Sequence, residues 1–154
     1  MTRAAALLFA LAACGDNLAA VPDATPAAVR PEHSSSIVAT ADAIYVVNAD
    51  ADSVSVLDPA TRSLVAEILL AGAAPAPAAD GSYTPGVLPR ALALSPDGAT
   101  LYVTGMRSGM LYAIDVASHD VRSVAVGSEP VGVAVAPDGA TVFVACAQDD
   151  KVVA

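Results

Sequence analysis

From residue 36 onward the chain is written in runs of four to six apolar or β-branched residues, each broken by a polar turn. Runs of that length are too short for helices, and their period of two predicts half-buried strands. The clearest set covers residues 90–94, 100–104, 110–115 and 121–126. Each link in it has a turn signal. Ser95-Pro96-Asp97-Gly98 places proline second and glycine fourth, the chemistry of a type I turn. Residues 105–109 form a glycine-bounded hairpin loop, and Val116-Ala117-Ser118-His119 is a polar connection into the last strand. Within the first strand large and small side chains alternate, Leu92 and Leu94 against Ala91 and Ala93.

This unit is repeated. Residues 89–113 reappear at 130–154 after a shift of 41, and Pro96-Asp97-Gly98-Ala99-Thr100 returns unchanged as Pro137-Asp138-Gly139-Ala140-Thr141. Self-similarity at ~40 to 45 residues with four strands per unit predicts an all-β propeller of four-stranded antiparallel blades. A degenerate unit precedes it at 34–72, where Ile44-Tyr45-Val46-Val47-Asn48 and Val54-Ser55-Val56-Leu57-Asp58 lie 57 residues before their counterparts. The excess over 41 falls in an insertion at 73–88, rich in alanine, proline and glycine. Alternation of large and tiny residues, seen again as Val133 and Val135 against Gly132 and Ala134, fits sheets that taper toward an axis. About two blades and a partial third are expected, whereas a ring typically takes 4 to 8. Bare strand edges invite aggregation, so the expectation is a truncated frame or a piece of a longer protein, ahead of self-association.

Three tetrads carry a family likeness: Tyr45-Val46-Val47-Asn48, Tyr102-Val103-Thr104-Gly105 and Phe143-Val144-Ala145-Cys146. With the Ser-Pro-Asp-Gly turn before them and Val-x-Val-Leu-Asp or Leu-x-Ala-Ile-Asp after, they resemble the YVTN family of β-propeller repeats over residues 34–154. The resemblance implies the fold and says little of function, since the family includes surface-layer, periplasmic and haem-enzyme-associated proteins. The chain departs from the pattern in keeping the asparagine only at Asn48. Thr40-Ala41-Asp42-Ala43 also replaces the proline turn of the first unit, which predicts a poorly formed first blade.

The N-terminus suggests an address. Arg3 precedes a ten-residue apolar run at 4–13, too short to span ~30 Å of hydrocarbon as a helix and suited to a secretory signal. Leu11-Ala12-Ala13-Cys14 resembles the lipobox of bacterial lipoproteins. The resemblance implies a signal peptide at 1–13, lipidation of Cys14 and a membrane partner through that lipid. Gly15, where the family's inner-membrane proteins carry aspartate, implies the outer membrane or its periplasmic face. Residues 14–35, with Pro22, Pro26 and Pro31, read as the lipidated cysteine and a tether, and 36–154 as the blades.

Composition narrows the chemistry. Hydrophobic residues make up 55% of the chain, without tryptophan, enough for a core of thin sheets. Seven Lys plus Arg stand scattered against sixteen Asp plus Glu, which argues against nucleic acid as a partner. No cofactor is expected: the chain lacks Cys-x-x-Cys-His, Gly-x-Ser-x-Gly and a glycine-rich phosphate loop. His33 and His119 read as solvated loop residues, and Cys146 as a small apolar residue at a strand end. Asp50 with Asp52, and Asp149 with Asp150, sit in corresponding loops and read as solvated turns rather than calcium sites, which want six to eight oxygens. Asp97 and Asp138 are expected to bond turn amides, and Asp58 and Asp115 to cap the turns after their strands. Tyr45, Tyr102 and Phe143 hold equivalent core positions, while Tyr83, in the insertion near Arg90, is the aromatic placed for a binding lip.

No catalytic or metal-binding constellation emerges, and the expected function is an exported, lipid-anchored binding or scaffolding module at the bacterial cell envelope, with protein or small-molecule ligands at its propeller loops. The alternatives are part of a propeller enzyme, lactonase-like or tied to haem or quinone chemistry, with its catalytic portion elsewhere, and a structural surface-layer component.

Overall fold

The structure, a computed structural model, describes residues 36–76, 79–80 and 84–154. The expected signal peptide, Cys14, the tether, His33 and Tyr83 lie outside the described residues. Among the described residues eleven strands form three antiparallel meanders. The first is β1 (Ile37–Ala39), β2 (Ile44–Asn48), β3 (Ser53–Leu57) and β4 (Leu64–Leu69). The second is β5 (Pro89–Leu94), β6 (Thr100–Gly105), β7 (Met110–Asp115) and β8 (Val121–Ala125). The third has three strands, β9 (Pro130–Val135), β10 (Val142–Cys146) and β11 (Lys151–Val153). A short 3-10 turn at Ala49–Ala51 is the helical element among the described residues. The strands expected in the middle unit are each found to within one residue.

The sheets meet along their inner strands, β1 and β2 against β5, and β5 and β6 against β9. Sheets joined near one edge and splayed at the other are propeller blades. Two cores fill the gaps between them. One joins the first two blades through Tyr45, Val54, Leu92, Leu101 and Ile114, and the other joins the second and third through Ala93, Leu111, Val133 and Val144. The alternation in β5 now has a cause. Leu92 and Leu94 lie on the face toward the first blade, while Ala91 and Ala93 face the third. Small residues on one side let the valines of β9 approach closely, and large ones on the other fill the wider gap.

The turns explain why the units keep their register. In the second blade Gly98 N–H donates to Ser95 O at 2.9 Å, with Gly98 at φ +75°, a left-handed conformation that favours glycine. In the third, Gly139 N–H donates to Ala136 O at 2.8 Å with φ +73°. The first blade is a complete four-stranded sheet, against the expectation of a poorly formed one. Thr40 does the work of the missing proline: its hydroxyl accepts from Ala43 N–H and donates to Ala43 O, both at 3.0 Å. The side-chain turn fixes the hairpin although φ is not preset.

The outer connections are also copies. Asp58 Oδ1 accepts the N–H of Ala60 and Thr61, and Asp115 Oδ1 that of Ala117 and Ser118, as expected of caps. Arg62 and His119, 57 residues apart, occupy the same left-handed position at φ 59° and 62°. His119 is thus a turn residue whose counterpart is an arginine. Backbone N–H groups, from Thr61 and Ser118 respectively, are the main cause of carboxyl values held below the usual range at Asp58 and Asp115.

Candidate functional site

Because each sheet is a meander and the inner strands run the same way, the connections sort onto two ends of the molecule. The two Pro-Asp-Gly turns, the Thr40 turn and the aspartate-capped turns lie at one end. The other gathers the β2–β3, β6–β7 and β10–β11 loops with the described parts of both links between blades, among them residues 84–88 at the end of the insertion. Side chains meant to face a ligand are best carried by loops on a rigid scaffold, and the insertion, which has no counterpart in the other link between blades, is at this end.

The insertion's last turn is firmly held here. Asp52 Oδ2 accepts the N–H of Gly86 at 2.6 Å, and Oδ1 accepts those of Val87 at 3.1 Å and Leu88 at 2.8 Å. Three consecutive amides converging on one carboxylate form a backbone nest, here filled from within the chain. Arg107 Nη1 donates to Pro85 O at 3.0 Å, and the N–H groups of Met106 and Arg107 donate to the carbonyls of Leu88 and Val87. The Val87 side chain is buried in the core between the first two blades. The carboxyl-terminal limb of the insertion is therefore a fixed rim and not a free loop.

Asp52 corrects the sequence expectation. It was expected in a solvated turn, yet it is only 2% exposed. It stands at φ 51°, where the equivalent positions hold Gly109 at φ 69° and Asp150 at φ 49°. Aspartate tolerates the left-handed region, so it keeps the turn that glycine makes in the second blade while adding a carboxylate aimed at the linker. The 57-residue alignment of Asp52 with Gly109 held the signal for the backbone. Its partners lie in the insertion, which no repeat position predicts.

The second link is clasped from the other side. Asp149 Oδ2 accepts Ser128 N–H at 2.9 Å and pairs with Lys151 Nζ at 2.9 Å. The Ser128 N–H first, and Lys151 after it, hold the Asp149 carboxyl at about 2. Its hydrogen bond to Asp149 raises Lys151. The aspartates paired in sequence are thus not paired in space toward a common ion: Asp50 is exposed while Asp52 is turned inward, and Asp149 is engaged by Ser128 and Lys151. Among the described residues no group of three or more His, Cys, Asp or Glu is placed to hold a metal ion.

The remaining sequence candidates divide. Tyr45 is buried and Tyr102 packs against the second core, as expected, whereas Phe143 is 43% exposed. Burial raises the Tyr45 hydroxyl, helped by the negative charge of Asp42. Cys146 is buried with its thiol toward Val126 O at 3.7 Å, the structural role expected of it. Arg90 is exposed on β5. Sequence reading missed a polar ladder in the first blade, where Asn48 Nδ2 donates to Ser53 and Ser55, and Ser53 Oγ donates to Glu67 Oε1 at 2.7 Å.

No family model matches the chain, and no curated protein matches it. Among solved structures it is similar to Kuenenia stuttgartiensis hydrazine synthase, at 25% identity over 83% of this chain with a TM-score of 0.59. It is also similar to a putative 6-phosphogluconolactonase from Bacteroides fragilis, at 17% identity over 72% of this chain with a TM-score of 0.54. The chain spans about a third of the length of each, 33% and 30%. The second likeness is one of fold, and both agree with the blade architecture.

Proposed function

We propose that the chain is an exported, lipid-anchored propeller module of the YVTN type, which binds its ligand at the end of the blades bearing the insertion. The observation that carries this reading is the clasp of residues 86–88 by Asp52, reinforced by Arg107 on Pro85. Such anchoring makes a fixed rim beside the β2–β3 and β6–β7 loops, and a pre-organised rim loses little entropy on binding. The leader at 1–13 and the Leu11-Ala12-Ala13-Cys14 tetrad support export and anchorage at Cys14.

Two experiments test the two halves. Palmitate labelling of cells should mark the wild type and spare Cys14→Ser, and labelling that is equal or absent in both would remove the anchor. A photo-crosslinking residue placed at Arg107 should form adducts in the cell envelope that one at Pro137, at the opposite end, does not. Equal adducts from both positions would remove the binding end. The likeness to hydrazine synthase at 25% identity favours a second reading, in which these blades belong to a propeller enzyme whose reacting groups lie in other parts.

A further inference from the structure

Arg90 is charged where the repeat asks for no charge. On β5, Arg90 and Ala91 together stand opposite the single residue Thr104, between the pairs Pro89 with Gly105 and Leu92 with Val103. That is a β-bulge, which re-aims a side chain. Arg90 is exposed, while its neighbours Pro89 and Ala91 are buried. The third blade has the same bulge on β9, where Pro130 pairs with Cys146 and Gly132 with Ala145, and there the extra residue is Val131. The bulge itself therefore needs no arginine.

In the middle blade the bulge also has a support of its own. The Thr104 side chain is fully buried; its Oγ1 accepts Ala91 N–H at 3.0 Å and donates to Ala91 O at 3.4 Å. At the equivalent positions stand Val47 and Ala145, which have no hydroxyl. Two departures from the repeat thus meet at one point. A buried hydroxyl that pins the backbone beside an exposed cation pre-organises that cation. Both faces of this blade are covered by described neighbours, so the exposure of Arg90 belongs to the inner strand and not to a bare face. Among the described residues no carboxylate pairs with its guanidinium, although the chain carries sixteen Asp plus Glu. Lys151, by contrast, is paired with Asp149. Arg90 follows Leu88, whose amide Asp52 holds, by two residues, which sets it at the end of the blades that bears the insertion.

We propose that Arg90, with Thr104 as its positioning residue, receives an oxyanion of the ligand, a carboxylate or a phosphate. The inference rests on the reading of the insertion end as the binding end and adds its chemistry. A guanidinium presents two parallel N–H donors that match either group.

The arginine Nε–Hε NMR signals of the full chain carrying Cys14→Ser test this in titrations with sodium phosphate and, separately, sodium acetate, against sodium chloride at equal ionic strength. A net charge of −9 repels anions in general, so a saturable response at one arginine marks a local site. Arg90 should respond in that way to one or both anions, while Arg62, on an aspartate-capped turn, follows the chloride control. The anion bound more tightly tells phosphate from carboxylate. Thr104→Val should weaken the binding by about tenfold, and Thr104→Ser, which keeps the hydroxyl, should retain it. An Arg90 signal that moves no more than that of Arg62 overturns the site, and does so in the parent chain even if Thr104→Val fails to fold. Unchanged affinity in a folded Thr104→Val, or equal loss in Thr104→Ser, overturns the positioning by Thr104. The two readings fail separately: crosslinks from Arg107 that persist beside an unresponsive Arg90 would leave the binding end standing without its oxyanion.

Discussion

The carboxylate of Asp52, in the turn between β2 and β3, accepts the backbone N–H of Leu88 at 2.8 Å across 36 residues of chain. That bond, with those from Gly86 and Val87, fixes where the insertion ends and where the second blade begins. Asp52→Ala strands three amides, one of them on the buried residue Val87, and should destabilise the fold by about 2 to 3 kcal/mol in urea unfolding. Asp52→Asn separates the two oxygens. An asparagine oxygen can still serve Val87 and Leu88, while its amide group faces Gly86 N–H. Hydrogen exchange should then lose protection at Gly86 alone, and uniform loss or uniform retention over the three would contradict this geometry.

Gly105 is a packing requirement. A Cβ there would come within 2.8 Å of Tyr112 Cε2 and of Val87 Cγ1. Gly105→Ala should cost about 1 to 3 kcal/mol by overpacking. The penalty should shrink when Val87→Ala is combined with it, because one of the opposing atoms is then gone. Strict additivity in that cycle would mean that Val87 does not press on this site.

Leu94 is buried in the core between the first two blades. Leu94→Ala should lower stability by about 2 to 5 kcal/mol. Val65→Ala, on the exposed outer strand β4, should cost less than about 1 kcal/mol. Similar losses at both positions would place the core elsewhere.

The Asp149 clasp gives a pH dependence of definite sign. Its carboxyl lies at about 2, below the ordinary 3.8. A group depressed in the folded state contributes stability above its unfolded value and loses it as pH falls. The contribution of Asp149 is therefore complete above pH 3.8 and fades from there toward about 2. A carboxyl-carbon NMR titration should show a midpoint near the lower figure in the wild type. In Lys151→Ala the midpoint should rise only partly, since the Ser128 N–H remains. A wild-type midpoint at or above 3.8 would mean the clasp is not formed in solution.

Much of this architecture was legible in the residues because it is local and repeated. Pro96-Asp97-Gly98 and its copy at 137–139 set two turns, and the two-residue alternation in β5 assigned large and small side chains to opposite faces. Asp58 and Asp115 capped the turns that their positions suggested. What escaped was relational. Asp52 looked like a solvated turn residue because its partners are 34 to 36 residues away in the insertion. Thr40 closes the first hairpin through its hydroxyl, a mechanism that the missing proline gave no reason to expect. Phe143 matched Tyr45 and Tyr102 in position, yet burial there comes from the following blade and not from the strand itself.

The central claim is that each gap between successive blades is filled by its own apolar core, with the middle blade contributing opposite faces to the two. Methyl-to-methyl nuclear Overhauser contacts measure it directly. The account predicts cross-peaks joining Val54 to residues of the second blade such as Val103, and Leu111 to Val144, with Val54 and Val144 never in contact. Cross-peaks between Val54 and Val144, with none from either to the middle blade, would contradict it.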